Sequence, residues 1–177
     1  WDYIDNDDDP HPDEESDAGP HGTSSAGVAS AIGDNGVGVA GVAYDTQVYA
    51  IRLIGGATDY EDIYNSFTEA VDAGAWVLSN SWGFGDDCPD IPVYSIFQEA
   101  MDYAETNGRG GLGAAIVTSA GNGNCDNSND GFQAIEWAIS VSATDGHDHR
   151  ESYSSYGDVV DVAAPSGSIL TTDITGD

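Results

Sequence analysis

The chain reads AAIVTSAGNG at residues 114–123 and WVLSNSWG at residues 76–83. Each stretch is a short apolar run that alternates little and ends in small polar residues. Strands of this kind are typical of a parallel sheet whose faces are covered by helices. A helix signal lies between them, at Val93–Thr106. The pattern therefore predicts a strand, helix, strand unit of an α/β protein.

The same alternation extends in both directions from this unit. Asp59 stands where the N-cap of a helix would be, ahead of Ile63 and Phe67 on one helical face. We predict helices at His21–Ile32, Asp59–Ala73 and Val93–Thr106, and strands at Thr46–Ile54, Trp76–Asn80, Ala114–Ser119, Ala138–Ala143 and Val159–Ala163. Residues 1–20 are rich in carboxylates and prolines, so we expect an irregular loop there. Ligands of such sheets bind beyond the carboxyl ends of the strands, which places the expected site after Asn80 and Ser119.

The charge balance restricts the classes of partner. The chain has 32 Asp and Glu residues against three arginines and no lysine, so its formal net charge is -29. Such a charge repels nucleic acid and anionic membranes, and it suits a protein that stays soluble in high salt or gathers calcium. No run of about 18 apolar residues is present, so we expect no membrane span. We interpret the 177 residues as one partial domain, because the chain begins at Trp1 and ends without a tail-like composition.

Two residues have the chemistry of a catalytic site. His21, followed by Gly22 and Thr23, opens a predicted helix, and a general base needs such a rigid support. Asn122 lies between two glycines after a predicted buried strand, where its amide is free to donate to a developing oxyanion. Taken alone, His21 would more often be an ordinary surface or core histidine, and Asn122 is also compatible with a turn residue.

Five stretches, in order along the chain, together resemble the subtilisin-like serine proteases. They are HGTSSAG at 21–27, GVAY at 41–44, SNSWG at 79–83, SAGNG at 119–123 and VDVAAP at 160–165. The resemblance implies a three-layer α/β fold, with a seven-stranded, mostly parallel sheet and helices on both faces. It also implies hydrolysis of polypeptides by a Ser-His-Asp triad, in which His21 is the base and Asn122 the oxyanion donor.

The other two members of the triad have no convincing match. Asp17 has the family's Asp-x-Gly context but lies four residues before His21 in a predicted loop, and Ser24 falls within the predicted helix behind His21. We therefore expect the catalytic aspartate and serine to lie outside residues 1–177, and this polypeptide alone to be inactive. Alternatives are a noncatalytic binding module of the same fold and a secreted domain that only binds calcium.

Substrate contacts follow from the same resemblance. Ser81, Trp82 and Gly83 are expected to lie against an extended substrate, although Trp82 would also suit a core position. Residues 82–87 further resemble the kexin and furin branch, where two carboxylates hold a basic P1 side chain, and Asp86 and Asp130 occupy the matching places. In so acidic a chain this match is also compatible with chance.

The resemblance further implies bound Ca2+. In the glycine-rich segment after the first helix, the carbonyls of Ile32, Val37 and Val39 and the side chain of Asn35 would be ligands. The acidic loop at the start of the chain resembles a second site. Its best candidate ligands are Asp2, Asp7 and Asp9, and a solvated acidic run is the alternative.

The two cysteines, Cys88 and Cys125, follow two of the substrate motifs. The family fold makes their loops neighbours, and an even cysteine count outside the cell favours a disulfide. We therefore expect a secreted protein with a Cys88–Cys125 bond. The resemblance also implies a propeptide as a partner.

Overall fold

A computed structural model describes residues 1–12, 20–85, 87, 88 and 90–174. The chain divides into two compact units, one formed by Trp1–Thr58 with Ser168–Asp177 and the other by Asp59–Gly167. The helices are α1 (His21–Ser30), α2 (Tyr60–Asp72) and α3 (Ser95–Asn107), and the strands are β1 (Val77–Asn80), β2 (Ala115–Ser119), β3 (Ala138–Thr144) and β4 (Val162–Pro165). Within the described ranges, no helix has the length and apolar character needed to cross a bilayer.

The second unit contains a parallel sheet with the strand order β1-β2-β3-β4. Val77 pairs with Ala115, and Ile116 pairs with Ala138 on the next strand. α3 connects β1 to β2, as the strand, helix, strand prediction requires. The α/β class and the parallel sheet are therefore confirmed, with four strands among the described residues.

The helices of this unit form where local signals are strongest. Asp59 caps α2 reciprocally, because its side chain accepts from the Asp62 amide while Asp62 accepts from the Asp59 amide. The apolar face of α2 is buried, including Ile63 and Phe67, and α2 stops just before Gly74, whose φ of 91° suits a helix end. α3 buries Phe97, Ala100, Met101 and Ala104.

Two predicted strands differ from the structure. Residues 46–51 have no regular secondary structure, so the predicted strand at Thr46–Ile54 is wrong. The only strand-like pairing of this segment among the described residues is an isolated bridge between Arg52 and Asp2. β4 begins at Val162 rather than Val159, because Val160 donates its amide to the Gly157 carbonyl in a turn.

In the first unit, α1 is packed tightly on two segments. A Cβ at Gly27 would collide with the hydroxyls of Thr171 and Thr172, and one at Gly41 would collide with the backbone at the end of α1. The amides of Gly41, Val42 and Ala43 donate to carbonyls in and just after the last turn of α1. Small residues in this region therefore serve close backbone approach.

Candidate active site

A groove of about 300 Å³ crosses the carboxyl ends of all four strands. It lies at the edge of the sheet where ligands of α/β proteins bind. Its walls are formed by Ser79–Ser81, Val117–Ser119, Val141–Ala143 and Ala164–Ser166. The ends of β1 and β2, where the sequence predicts the site, both line this groove.

The loop that carries Asn122 leaves β2 through a tight turn. Gly121 has a φ of 89° and Asn124 a φ of 52°, and the Gly121 amide donates to Ser119 Oγ at 3.1 Å. Asn122 itself is exposed, and its side chain has no hydrogen-bond partner among the described residues. The turn therefore holds the backbone on both sides of a side-chain amide that remains available as a donor.

A disulfide joins this loop to the one that follows β1. The Sγ atoms of Cys88 and Cys125 are 2.00 Å apart. Cys125 lies three residues after Asn122, and Cys88 follows the segment Ser81–Gly83. The covalent bond therefore links the two loops that resemble the substrate strand and the oxyanion motif.

His21 is the first residue of α1 and is exposed, in the first compact unit, whereas Asn122 belongs to the second. Within the described ranges, no hydrogen bond restricts the His21 imidazole. Ser24 lies inside α1, as predicted, and donates its hydroxyl to the Thr172 carbonyl at 3.2 Å. Asp17 falls outside the described residues.

Trp82 is half-buried and belongs to an aromatic cluster. Its ring centroid is 4.8 Å from that of Phe132 and 6.1 Å from that of Phe84. Both of these rings also pack against Phe97, which is fully buried. The indole is thus held by core aromatics, while Ser81 is exposed and a Cβ at Gly83 would meet nothing within 4 Å. Open space at Gly83 suits close approach of another backbone.

Asp130 has a structural role that the sequence did not reveal. The residue is only 4% exposed, and its Oδ1 accepts the amides of Phe132 at 2.9 Å and Gln133 at 3.3 Å. These bonds stabilise the turn that sets Phe132 against Trp82. Asp86, the other predicted carboxylate of a basic pocket, lies outside the described residues.

Asp2, a predicted calcium ligand, is paired with an arginine. It is fully buried, and its Oδ2 lies 2.7 Å from Nη1 of Arg52, while its Oδ1 accepts the amides of Ile4 and Asp5. Burial alone would raise the pKa of Asp2, but hydrogen bonds from two amides and from Arg52 outweigh burial and hold the pKa below its usual range. A guanidinium thus lies against the carboxylate of Asp2, and the role of Asp2 as a calcium ligand stays a prediction.

The remaining acidic candidates form local turns. Asp7 Oδ1 accepts the Asp9 amide, and Asp9 Oδ1 accepts the His11 amide. No group of three or more acidic, histidine or cysteine side chains converges on a metal position in the parts of the chain that the structure describes. The sequence signal that was overlooked is Arg52, one of only three cations in a chain of 32 acids.

The glycine-rich segment that follows α1 has an irregular backbone. Asp34, Gly36 and Gly38 have φ values of 56°, 70° and 59°, so alternate residues of this segment have left-handed backbone. Such a path allows carbonyl oxygens to converge without side-chain carboxylates. The side chains of Ile32 and Val37 are 67% and 74% exposed, and Asn35 Oδ1 accepts the Val37 amide at 2.9 Å.

A family model described as the subtilase family, peptidase S8, matches residues 1–176. The chain belongs to the subtilase family. It is 36% identical over 175 residues to thermitase of Thermoactinomyces vulgaris, covering 97% of this chain and 56% of thermitase. It is 37% identical to a calcium-dependent protease of Trichormus variabilis, covering 88% of this chain and 26% of that protein.

A solved protease structure agrees with this assignment. A protease of Pseudoalteromonas arctica superposes with a TM-score of 0.72 at 31% identity, over 83% of this chain and 44% of that one. The chain thus spans about half, or less, of the length of these relatives. The subtilisin-like fold is established by this likeness.

Proposed function

We propose that this subtilase chain carries the general base and the oxyanion donor of a serine endopeptidase. The observation that supports the proposal is the position of Asn122. Its amide is exposed and without a partner among the described residues, in a turn anchored at the end of β2 beside the groove. A donor fixed in this way acts on charge that appears in the transition state and needs no reorganisation.

In the proposed mechanism, His21 takes the proton of a serine hydroxyl as it attacks the peptide carbonyl. The imidazolium then gives this proton to the leaving amine. Asn122 donates to the oxyanion of the tetrahedral intermediate, a contribution of about 10²–10³ in turnover in such enzymes. We assign the serine and the aspartate of the triad to none of the described residues.

For the substrate, we propose an extended polypeptide alongside Ser81–Gly83. Among the described strands, β1 pairs only with β2 and therefore has one free edge. The residues that continue this edge are an exposed serine and a glycine with open space above it. Backbone pairing with a substrate strand needs both an unpaired edge and room for a second backbone.

For specificity, we propose a preference for basic P1 side chains that depends on Asp86. Asp130 was expected to share this task, but its Oδ1 is engaged by two backbone amides. We therefore propose that Asp130 shapes the site by ordering the turn at Phe132.

We also propose that the protein binds Ca2+ and acts outside the cell. The curled path of residues 33–38 supports a calcium site formed by Asn35 and the carbonyls of Ile32, Val37 and Val39. The name of the Trichormus variabilis relative, a calcium-dependent protease, agrees with this proposal. The disulfide supports an oxidising compartment, and a propeptide is the proposed folding partner.

The decisive experiment replaces His21 in the full-length protein. His21→Ala should lower hydrolysis of a peptide ester by several orders of magnitude while the melting temperature is retained, because only proton transfer is lost. His11→Ala is the matched control, since His11 is another exposed histidine and lies in the acidic loop. Near-normal hydrolysis by His21→Ala would refute the assignment. A native protein that never reacts with a fluorophosphonate would indicate a noncatalytic binding module.

A further inference from the structure

Ser155 is a fully buried residue that contacts the loop of Asn122 on both sides. Its amide donates to the Gly121 carbonyl at 2.9 Å, and its Oγ accepts the Gly123 amide at 3.0 Å. These are the two residues that flank Asn122. A single serine therefore fixes the backbone immediately before and after the proposed oxyanion donor.

The neighbours of Ser155 extend this attachment. The Asn124 amide donates to the Tyr153 carbonyl at 2.8 Å, and the Tyr156 amide donates to the Cys125 carbonyl at 3.0 Å. Backbone bonds thus hold the loop from Asn124 onward. At Gly123, by contrast, the acceptor is a side-chain hydroxyl, so this point depends on the residue type at 155.

The approach of Ser155 to the loop is close. A Cβ at Gly121 would lie 3.4 Å from Ser155 Oγ, so the hydroxyl fills the space beneath the turn. Cys88 Sγ is 3.5 Å from the same oxygen. The hydroxyl therefore lies between the disulfide and the loop and has little freedom to move.

The Gly123 amide matters for the chemical stability of Asn122. In an Asn-Gly pair, the glycine nitrogen loses its proton and attacks the side-chain carbonyl carbon of the asparagine. A new N–C bond forms, ammonia leaves, and water then opens the succinimide to aspartate or isoaspartate. A hydrogen bond from the Gly123 N–H to Ser155 Oγ opposes the first step, because it retains the proton and fixes the direction of the nitrogen.

We propose that Ser155 is a positioning residue that holds Asn122 in place and protects the Asn122–Gly123 pair from succinimide formation. The catalytic half of this proposal rests on the proposed function of Asn122. The protection from succinimide formation does not rest on that function, because deamidation proceeds without turnover. The two halves therefore have separate measurements.

The kinetic measurement compares two adjacent serines in the full-length protein. Ser155→Ala should lower kcat about tenfold with little change in KM, since the loop that holds the donor loses one anchor. Ser154→Ala is the matched control: Ser154 is also buried, but its Oγ accepts the Ala143 amide and donates to the Ser155 carbonyl. Ser155→Thr, which keeps the hydroxyl, should restore most of the kcat.

The chemical measurement uses peptide mapping by mass spectrometry after incubation at mildly alkaline pH, in a His21→Ala background to prevent self-digestion. Ser155→Ala should deamidate at Asn122 several times faster than the parent or Ser154→Ala. The exposed Asn35–Gly36 pair in the first unit is present in all variants, and its rate of deamidation serves as the internal reference.

The outcomes separate the two ideas. Faster deamidation in Ser155→Ala with an unchanged kcat would support the protective role of Ser155 and overturn its positioning role, while Asn122→Ala tests the oxyanion role separately. A lower kcat with an unchanged rate of deamidation would overturn the protective role of Ser155. If Ser155→Ala matches Ser154→Ala in both measurements, the whole inference is wrong.

Discussion

The disulfide between Cys88 and Cys125 lies directly against Ser155, with Cys88 Sγ 3.5 Å from the serine Oγ. The covalent bond and the buried hydroxyl therefore both restrain the loop that carries Asn122. Asn122 lies on that loop, three residues before Cys125. Its position thus depends on one bond that is sensitive to reductant and one that is not.

Loss of the disulfide should lower both stability and turnover. The bond spans 37 residues of sequence, and closing a loop of that size contributes about 4 kcal/mol to the free energy of unfolding in the chain-entropy description. We expect added reductant to lower the melting temperature and kcat of the native protein. The Cys88→Ser, Cys125→Ser double variant is the control, because its lower values should not respond to reductant. An unchanged melting temperature in both cases would contradict the prediction.

The buried pair of Asp2 and Arg52 should make the protein sensitive to acid. The pKa of Asp2 is lower in the folded protein than its ordinary value, so ionised Asp2 contributes stability above a pH of about 4. This contribution is lost as the pH falls through the folded pKa. Arg52→Met should lower the free energy of unfolding at neutral pH by about 3–5 kcal/mol, because it leaves a buried carboxylate unpaired.

The control for this prediction is Arg109→Met. Arg109 is exposed and lies over the Trp76 ring at 5.0 Å, so its loss should change stability by less than about 1 kcal/mol. Denaturant unfolding of both variants, from acidic to neutral pH, would measure the difference. Equal effects of the two substitutions would show that Asp2 does not depend on Arg52.

Local signals in the sequence determined the second unit well. Asp59 and Asp62 form a reciprocal cap, and Ile63 and Phe67 lie on the buried face, so α2 was predictable from its own residues. β1 and β2 were predictable as short apolar runs. β4 was displaced because the turn at Gly157 depends on a hydrogen bond between residues three apart that apolar content does not show.

The sequence proposes site residues where chemistry depends on residue type at one position, and does so less well where it depends on partners distant in sequence. Asn122 was selected by its two flanking glycines together with the family resemblance, and its role stays a prediction. Asp2 and Arg52, 50 residues apart, could not be paired, because many carboxylates compete for each cation in this chain. Likewise, the role proposed for Ser155 rests on contacts with a loop 32 residues away.

Replacement of Asn122 should affect turnover far more than binding. Asn122→Ala should lower kcat by about 10²–10³ with little change in KM, since the amide acts on charge that appears only in the transition state. Steady-state kinetics on a peptide ester would measure both constants. Asn129→Ala is the matched control, because Asn129 is an exposed asparagine seven residues further along, is not flanked by glycines and does not have left-handed backbone. A comparable rise in KM would instead identify Asn122 as a substrate-binding residue.

Calcium removal should lower the melting temperature, because the ion binds only the folded loop. We expect excess chelator at constant ionic strength to lower it and added Ca2+ to restore it. Asn35→Ala should reduce this response if residues 32–39 form the site. Asp7→Asn tests the acidic loop in the same way and should leave the response intact, since Asp7 Oδ1 already accepts the Asp9 amide. The reverse pattern would assign calcium to the acidic loop.

Specificity for a basic P1 residue should depend on Asp86 and not on the charge of Asp130. Asp86→Asn should lower kcat/KM for Arg at P1, relative to Phe or Leu, by roughly 2–5 kcal/mol, because a guanidinium in the pocket would lose its charged partner. Asp130→Asn is the matched variant. Its amide oxygen remains able to accept from Phe132 and Gln133, so the turn and the Arg preference should both be retained.

A library of substrates that differ only at P1 distinguishes the possible results. Equal loss of Arg preference in both variants would mean that the second oxygen of Asp130 contacts the substrate despite its burial. A native profile that already favours Phe or Leu would show that Asp86 faces water. In that case the aromatic cluster of Trp82, Phe84 and Phe132 would be the better explanation of the pocket, because these rings pack together next to Ser81 and Gly83 and offer apolar surface rather than charge.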